Sequence, residues 1–165
     1  MNKLRAAFSM VLGLVLINAA QAQDRPNAPD FYSSLKTVEL AMVDKCETIE
    51  VRELEFLLDV TRVSQQQIDC TGFEYLGAKR FVELIFSDDE LDLVIVLIKP
   101  DEFEALSQKF RETHGEPTHD SAIGQFYYGD AVAIRTRPFE VVFASRRVRA
   151  DYQLYMDHMG SDTSN

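Results

Sequence analysis

Apolar residues dominate two runs that flank the acidic residues 88–90, within the segment FVELIFSDDELDLVIVLI at positions 81–98. Strands favour Val, Ile and Phe, and aspartates tolerate the backbone of a tight turn. The pattern therefore predicts a β-hairpin at the centre of the fold. Its second strand, residues 91–98, is apolar at nearly every position, which is typical of a central strand covered on both faces.

The same alternation of apolar and polar residues predicts further strands. Gly129-Asp130 has glycine first in a two-residue turn, which predicts a type II′ hairpin, and Arg137-Pro138 predicts a second turn. The expected strands are residues 67–73, 79–87, 123–128, 131–137 and 139–145.

Helical periodicity is clearest over residues 100–114. Pro100 suits the start of a helix, and Gly115 suits the position after its end. Phe103, Leu106 and Phe110 form the expected buried stripe.

Other segments are less distinct. Residues 35–49 fit helix and strand spacing equally well, whereas 51–58 favour a helix through Val51, Leu54, Leu57 and Leu58. A last helix is expected over residues 146–159. Together these elements predict an α+β fold, with an antiparallel β-sheet and helices packed on it.

The N-terminus has the features of a secretory signal peptide. Lys3 and Arg5 precede an apolar run, and Ala20-Gln21-Ala22 ends it as a cleavage site does. We expect residues 1–22 to be removed, residues 23–30 to form a flexible leader, residues 31–159 to form a single domain and residues 160–165 to be a disordered tail. A buried helix of a cytosolic fold is the less favoured alternative, because it would not need the Ala-x-Ala ending.

The expected compartment is the periplasm of a Gram-negative bacterium or the cell exterior. No cysteine follows the apolar run for lipid attachment, and no later segment is long and apolar enough to span a bilayer. The two cysteines, Cys46 and Cys70, are therefore expected to form one disulfide. A redox or metal pair is less favoured, because the chain has no Cys-x-x-Cys spacing and no histidine near either cysteine.

Charge excludes some partners. The chain carries 17 Lys+Arg and 27 Asp+Glu, a net charge of −10, and removing Lys3 and Arg5 with residues 1–22 makes it −12. Nucleic acids and anionic lipids require a basic surface, so neither is an expected partner.

Two clusters invite a metal-site interpretation. The acidic residues Asp88, Asp89, Glu90 and Asp92 offer oxygen ligands for a hard cation, but they lack the spacing and central glycine of an EF-hand loop, so a solvated turn is the better interpretation.

The second cluster is His114, His119 and Asp120, which is the basis of an alternative function as a small metal-dependent hydrolase or metal-binding protein. It matches no helical ligand pair. No cofactor motif, phosphate-binding loop or nucleophile elbow is present.

Arginines are concentrated in the C-terminal part. Residues 131–149 contain five arginines against one acid, Glu140, whereas residues 79–120 contain eleven acids against five bases. Arginines bind carboxylates and phosphates in a bidentate manner, so this group predicts a surface for an acidic protein partner. Exposed tyrosines would add binding energy there, and coverage of these tyrosines by the terminal helix is the equally open alternative. The candidate partner-binding residues are Arg135, Arg137, Arg146, Arg147, Arg149, Tyr127 and Tyr128. Neutralisation of the protein's own acids is the open alternative.

The run FSDDELDLVIVL, followed by EFEALSQKF and HGEPT, resembles small secreted α+β proteins of the type of β-lactamase-inhibitor protein and of BamE-like outer-membrane assembly lipoproteins. The resemblance covers about residues 67–117. It implies a protein-binding module without catalysis, and it carries over no functional residue. The lack of catalytic motifs, together with the arginine and aromatic residues, favours the same class of function, for instance an inhibitor, immunity or envelope-accessory protein.

Overall fold

The computed structural model describes residues 25–151 and 153–154. Within these residues the strands form one antiparallel sheet in the order β1-β2-β3-β4-β8-β7-β6-β5. The strands are β1 Thr48–Glu53, β2 Gln65–Tyr75, β3 Ala78–Ser87, β4 Glu90–Leu97, β5 His119–Ser121, β6 Gly124–Tyr127, β7 Val132–Thr136 and β8 Phe139–Ala144. The α+β class is confirmed. The expected signal peptide and tail lie outside the described residues, as do residues 152 and 155–159 of the expected last helix. Within the described part of that segment, residues 146–148 form a turn, so the predicted helix start at residue 146 is wrong, and residues 149–151 and 153–154 are helical.

The sheet is built from two halves of the same design. Helix α1 (Leu35–Met42) precedes the meander β1 to β4, and helix α2 (Phe103–His114), entered through a 3₁₀ turn at Pro100–Glu102, precedes the meander β5 to β8. Strands β4 and β8 pair antiparallel where the halves meet. The second half therefore repeats the order of elements in the first.

Both helices cover the same side of the sheet, which we call the helix face. Val38 and Met42 of α1 and Leu106 and Phe110 of α2 pack against sheet residues there. On the opposite side, the far face, a smaller core contains Ile85, Leu93, Ile95, Phe126 and Val142, among others. Strand β4 contributes to both cores, as its continuous apolar pattern predicts.

The predicted Cys46–Cys70 disulfide is confirmed and joins the segment after α1 to β2, with a Cα–Cα distance of 5.5 Å. Such a bond is consistent with an oxidising compartment. None of the helices in the described part of the chain is long and apolar enough to cross a membrane.

The predicted helix over residues 51–58 is wrong. Residues 48–53 are strand β1, in which Ile49 lies opposite Cys70 of β2, and residues 54–64 form an irregular loop. The β-branched residues Thr48, Ile49 and Val51 suit a strand, and pairing with β2 overrides the weak helical period. The undecided segment over residues 35–49 is helical only as far as Met42.

The predicted type II′ turn is also wrong, because Tyr127 pairs with Val132 and leaves a four-residue loop over residues 128–131. The left-handed residue in this loop is Ala131, with φ 56°. The Arg137-Pro138 turn is confirmed between the paired residues Thr136 and Phe139.

Candidate binding cleft

The acidic turn between β3 and β4 anchors neighbouring segments. Asp88 and Asp89 both adopt left-handed φ values, 54° and 66°. The Asp88 carboxylate accepts hydrogen bonds from the backbone amides of Arg62, Val63 and Ser64 at 2.7–3.1 Å, and these bonds lower the pKa of Asp88. Asp89 accepts from the Leu35 amide at the start of α1, at 2.9 Å. The turn therefore fixes the β1–β2 loop and helix α1.

Glu90 and Asp92 hold the C-terminal segment. Asp92 is fully buried where β4 bulges, since Ile85 pairs with Leu93 and Phe86 pairs with Leu91. Its carboxylate accepts from Arg147 Nη2 at 2.5 Å and from the Ser145 hydroxyl at 2.6 Å. Glu90 accepts from Arg147 Nη1 at 2.6 Å, and the two acids raise the pKa of Arg147.

These four acids therefore act as structural anchors. Over the described residues, no group of three or more His, Cys, Asp or Glu side chains is placed to hold a metal ion.

The predicted histidine cluster is divided by the sheet. His114 contacts Tyr127 at 5.3 Å between ring centroids and bonds to Asp130 at 2.8 Å on the helix face. His119 contacts Phe126 at 5.8 Å on the far face. Because Phe126 and Tyr127 are consecutive residues of β6, their side chains lie on opposite faces. Asp120 instead pairs with Arg111 at 2.6 Å, so the three side chains do not converge.

Two of the five arginines neutralise the protein's own acids. Arg147 binds Asp92 and Glu90, and Arg135 pairs with Glu140 at 3.0 Å on the far face. Glu140 is almost completely buried, and burial raises its pKa to about 7 despite the opposing effect of Arg135. For Arg135 and Arg147 the structure thus favours the self-neutralising alternative.

The other three arginines are exposed but separate. Arg137 lies in the β7–β8 turn, beyond Phe139, whereas Arg146 and Arg149 follow Ala144 at the other end of β8. A six-residue strand spans roughly 17 Å at about 3.3 Å per residue. Arg137 therefore belongs to a different surface from Arg146 and Arg149.

Arg146 and Arg149 line a cleft of about 460 Å³. Phe31 and Tyr32, which precede α1, also line it, together with Asp130 and Ala131 of the β6–β7 loop. An adjoining recess of about 350 Å³ shares Phe31, Asp130, Ala131 and Ala144, and also contains Arg25, Thr113, His114, Val132 and Phe143. We refer to the two together as the arginine cleft.

The cleft concentrates positive charge on an acidic molecule. Arg25, Arg146 and Arg149 line it against one carboxylate, Asp130, although the whole chain has a net charge of −10. Arg25 also pairs with the exposed Asp30 at 3.8 Å. Asp130 is bonded to His114. Nη1 of Arg149 donates to the Gly129 carbonyl at 3.4 Å, while Arg146 has no carboxylate within 4.0 Å among the described residues. The geometry leaves guanidinium donors available for an added anion.

The cleft walls also carry backbone strain. Tyr32 and Ala131 have left-handed φ values, 68° and 56°, which side chains other than glycine rarely adopt. The Tyr32 amide donates to the Leu91 carbonyl, and the Leu91 amide donates to the Ser33 carbonyl, both at 3.0 Å. Pairing with β4 therefore holds the segment before α1 in place. Strained residues are found preferentially at ligand-binding sites.

The tyrosines expected beside the arginines differ in position. Tyr127 is buried in the helix-face core, where its hydroxyl donates to Gln125 at 3.3 Å and burial raises its pKa. Of the two alternatives for Tyr127, the structure shows the covered one, although the covering element is α2, through Phe110, and not the terminal helix. Tyr128 is half-buried against Phe126. The exposed aromatic residue of the cleft is instead Tyr32, with 47% of its surface accessible.

Comparison with protein-family models, with curated proteins and with solved structures gives no match for this chain.

The sequence does not predict the aromatic residues of the cleft. Phe31 and Tyr32 follow the Pro-rich segment that is expected to be mobile, yet Pro26 is buried and Arg25 lies 4.5 Å from the Phe31 ring. Two adjacent aromatic residues after a polar leader were the available signal, because aromatic side chains need a surface to pack on.

Proposed function

We propose that this protein is a binding module without catalysis, which engages an acidic protein partner through the arginine cleft. The observation that carries the proposal is the pair of exposed arginines, Arg146 and Arg149, which line the same cleft as Phe31 and Tyr32. Arginine and tyrosine are the residues that most often dominate binding energy at protein interfaces.

The expected ligand group is a carboxylate. A guanidinium presents a planar fork of donors that matches a carboxylate in two parallel hydrogen bonds. A partner's Asp or Glu side chain would enter between Arg146 and Arg149, while an adjacent apolar group would pack against Phe31 and Tyr32.

A non-catalytic role agrees with the separation of His114, His119 and Asp120. General acid–base or nucleophilic catalysis needs its groups within hydrogen-bonding reach of one reacting centre. The resemblance to secreted inhibitor and assembly proteins points the same way, and the Cys46–Cys70 disulfide supports a periplasmic or extracellular setting.

The test is co-purification of a tagged protein from periplasmic extract. We expect one stoichiometric partner with the wild type, and its loss with Arg146→Glu combined with Arg149→Glu. The matched control is Arg137→Glu, an exposed arginine at the other end of β8, which should retain the partner.

Thermal unfolding of each variant excludes a folding defect, since both cleft positions are exposed. Two results would contradict the proposal. One is equal recovery of the partner with the wild type, the cleft double variant and Arg137→Glu, and the other is recovery of no partner with any of these proteins.

A further inference from the structure

The β1–β2 loop, residues 54–64, presents apolar side chains in two directions. Leu54, Leu58 and Val60 pack against the far-face core. Phe56, Leu57 and Val63 are 57%, 67% and 81% exposed. The inward residues already attach the loop to the sheet, so the outward three contribute little to folding.

Hydrogen bonds to the side chains of Asp88 and Gln65 fix the backbone of this loop. Asp88 accepts from the amides of residues 62–64, and the Asp88 amide donates to the Ser64 carbonyl at 2.8 Å. Gln65, which is 1% exposed, accepts from the Leu57 amide through its side chain. The loop is therefore ordered before any partner arrives, which lowers the entropy cost of binding through it.

The three outward residues belong to one loop of eleven residues, 54–64. The backbone of this loop is held near Leu57 by the Gln65 side chain and near Val63 by the Asp88 carboxylate. A cluster of large apolar side chains on a fixed loop is typical of a protein interaction site.

Charge selects the kind of partner. Glu53, Glu55 and Asp59 are exposed in or beside the loop. The two bases there are engaged with other groups: Arg52 pairs with Asp69 and Glu83, and Arg62 bonds to the carbonyls of Asp59 and Thr61. Acidic residues therefore predominate among the exposed charges near the apolar side chains. This favours a partner with basic residues and disfavours an anionic lipid surface.

We infer that the β1–β2 loop is a second docking element, which inserts Phe56 and Leu57 into an apolar crevice rimmed by Lys or Arg on a folded protein partner. It is independent of the arginine cleft, because its contacts and its anchors involve none of the cleft residues.

A photoreactive benzoylphenylalanine at position 56 tests the contact in periplasmic extract. Position 43 serves as the control, because Val43, which follows the last residue of α1, has the same 57% exposure. We expect one protein adduct at position 56 and none at position 43, with the attachment point in an apolar crevice flanked by Lys or Arg.

The purified adduct partner then allows a matched comparison of affinity. Phe56→Ser with Leu57→Ser should weaken binding by at least about tenfold. Leu40→Ser with Val43→Ser, at positions of similar exposure, should change it by less than about twofold. Binding of this partner should be lost in the variant Phe56→Ser with Leu57→Ser but kept in the variant Arg146→Glu with Arg149→Glu. That difference would separate this inference from the proposed function.

If the loop binds a second copy of this protein or a membrane, the experiments give different results. An adduct of twice the chain mass would mean a second copy of this protein. Flotation with vesicles of phosphatidylethanolamine and phosphatidylglycerol, lost in the loop variant, would mean a membrane. Either result, equal labelling at positions 56 and 43, or equal affinities of the two double variants would overturn the inference.

Discussion

At the residue scale, burial of the partner group separates the arginines that stabilise the fold from those available for binding. Arg147 reaches a carboxylate, Asp92, that has no contact with water. Arg146, one position earlier, is exposed and lies in the arginine cleft. The signal for this difference was an aspartate within the apolar run of β4, because a buried carboxylate requires a partner.

Replacing Arg147 by Ala should therefore destabilise the fold by about 3 kcal/mol, because it leaves the Asp92 charge buried and unpaired. The neighbouring Arg146→Ala should change the free energy of unfolding by less than about 0.5 kcal/mol. Urea unfolding of both variants measures the difference. Similar values for the two would contradict the assignment of Arg147 as an anchor.

Glu140 predicts a pH dependence of stability. Its folded pKa is about 7, against an ordinary value of 4.5. Between these values the folded state binds more protons than the unfolded state, so the free energy of unfolding falls as pH rises. The contribution lost between pH 5 and pH 8 is about 2–3 kcal/mol. Glu140→Gln should remove this slope.

The measurement is urea unfolding at several pH values across this window. Glu104→Gln, at an exposed position of α2, is the control and should keep the wild-type slope. Asp88 and Glu102 have lowered pKa values in the folded protein. They therefore stabilise the fold at pH values above their ordinary pKa values of 3.8 and 4.5, and this stabilisation is lost only when the pH falls further. An unchanged slope in Glu140→Gln would show that Glu140 does not titrate in this range.

At the element scale, the sequence predicts best what local chemistry determines. The β3–β4 hairpin and α2 were both predicted, because their turn residues, caps and apolar periods agree with each other. Strand β1 was not, since its conformation depends on pairing with β2, and β5 is only three residues long. Neither pairing partner nor edge position can be read from a local period.

The acidic turn links elements that are distant in sequence, which gives a prediction for the β1–β2 loop. Asp88→Gly keeps the left-handed backbone but removes the carboxylate, so the amides of residues 62–64 should lose hydrogen-exchange protection roughly fivefold or more. Asp89→Gly should instead affect the Leu35 amide at the start of α1. Exchange measured by NMR separates the two, and unchanged protection at residues 62–64 would contradict the anchoring role of Asp88.

At the scale of the whole molecule, two αββββ halves place their helices on one face and leave the arginine cleft at the end of β8. The concentration of arginines in residues 131–149 predicts Arg146 and Arg149 as binding residues. The sequence does not place Phe31 and Tyr32 beside them, because their position in the cleft depends on pairing of residues 32–33 with β4. The sequence therefore indicates the charge of the cleft, whereas its aromatic residues and its shape require the tertiary structure.

The most direct test is a charge exchange between the cleft and its partner, measured by isothermal titration calorimetry. Arg146→Glu with Arg149→Glu should raise the dissociation constant for the purified partner at least about tenfold. Arg137→Glu should leave it within about twofold. Reversing the partner's acidic contact residues to Lys should restore affinity to the cleft variant. Equal dissociation constants for the wild type and both variants, or no restoration by the exchange, would contradict the account.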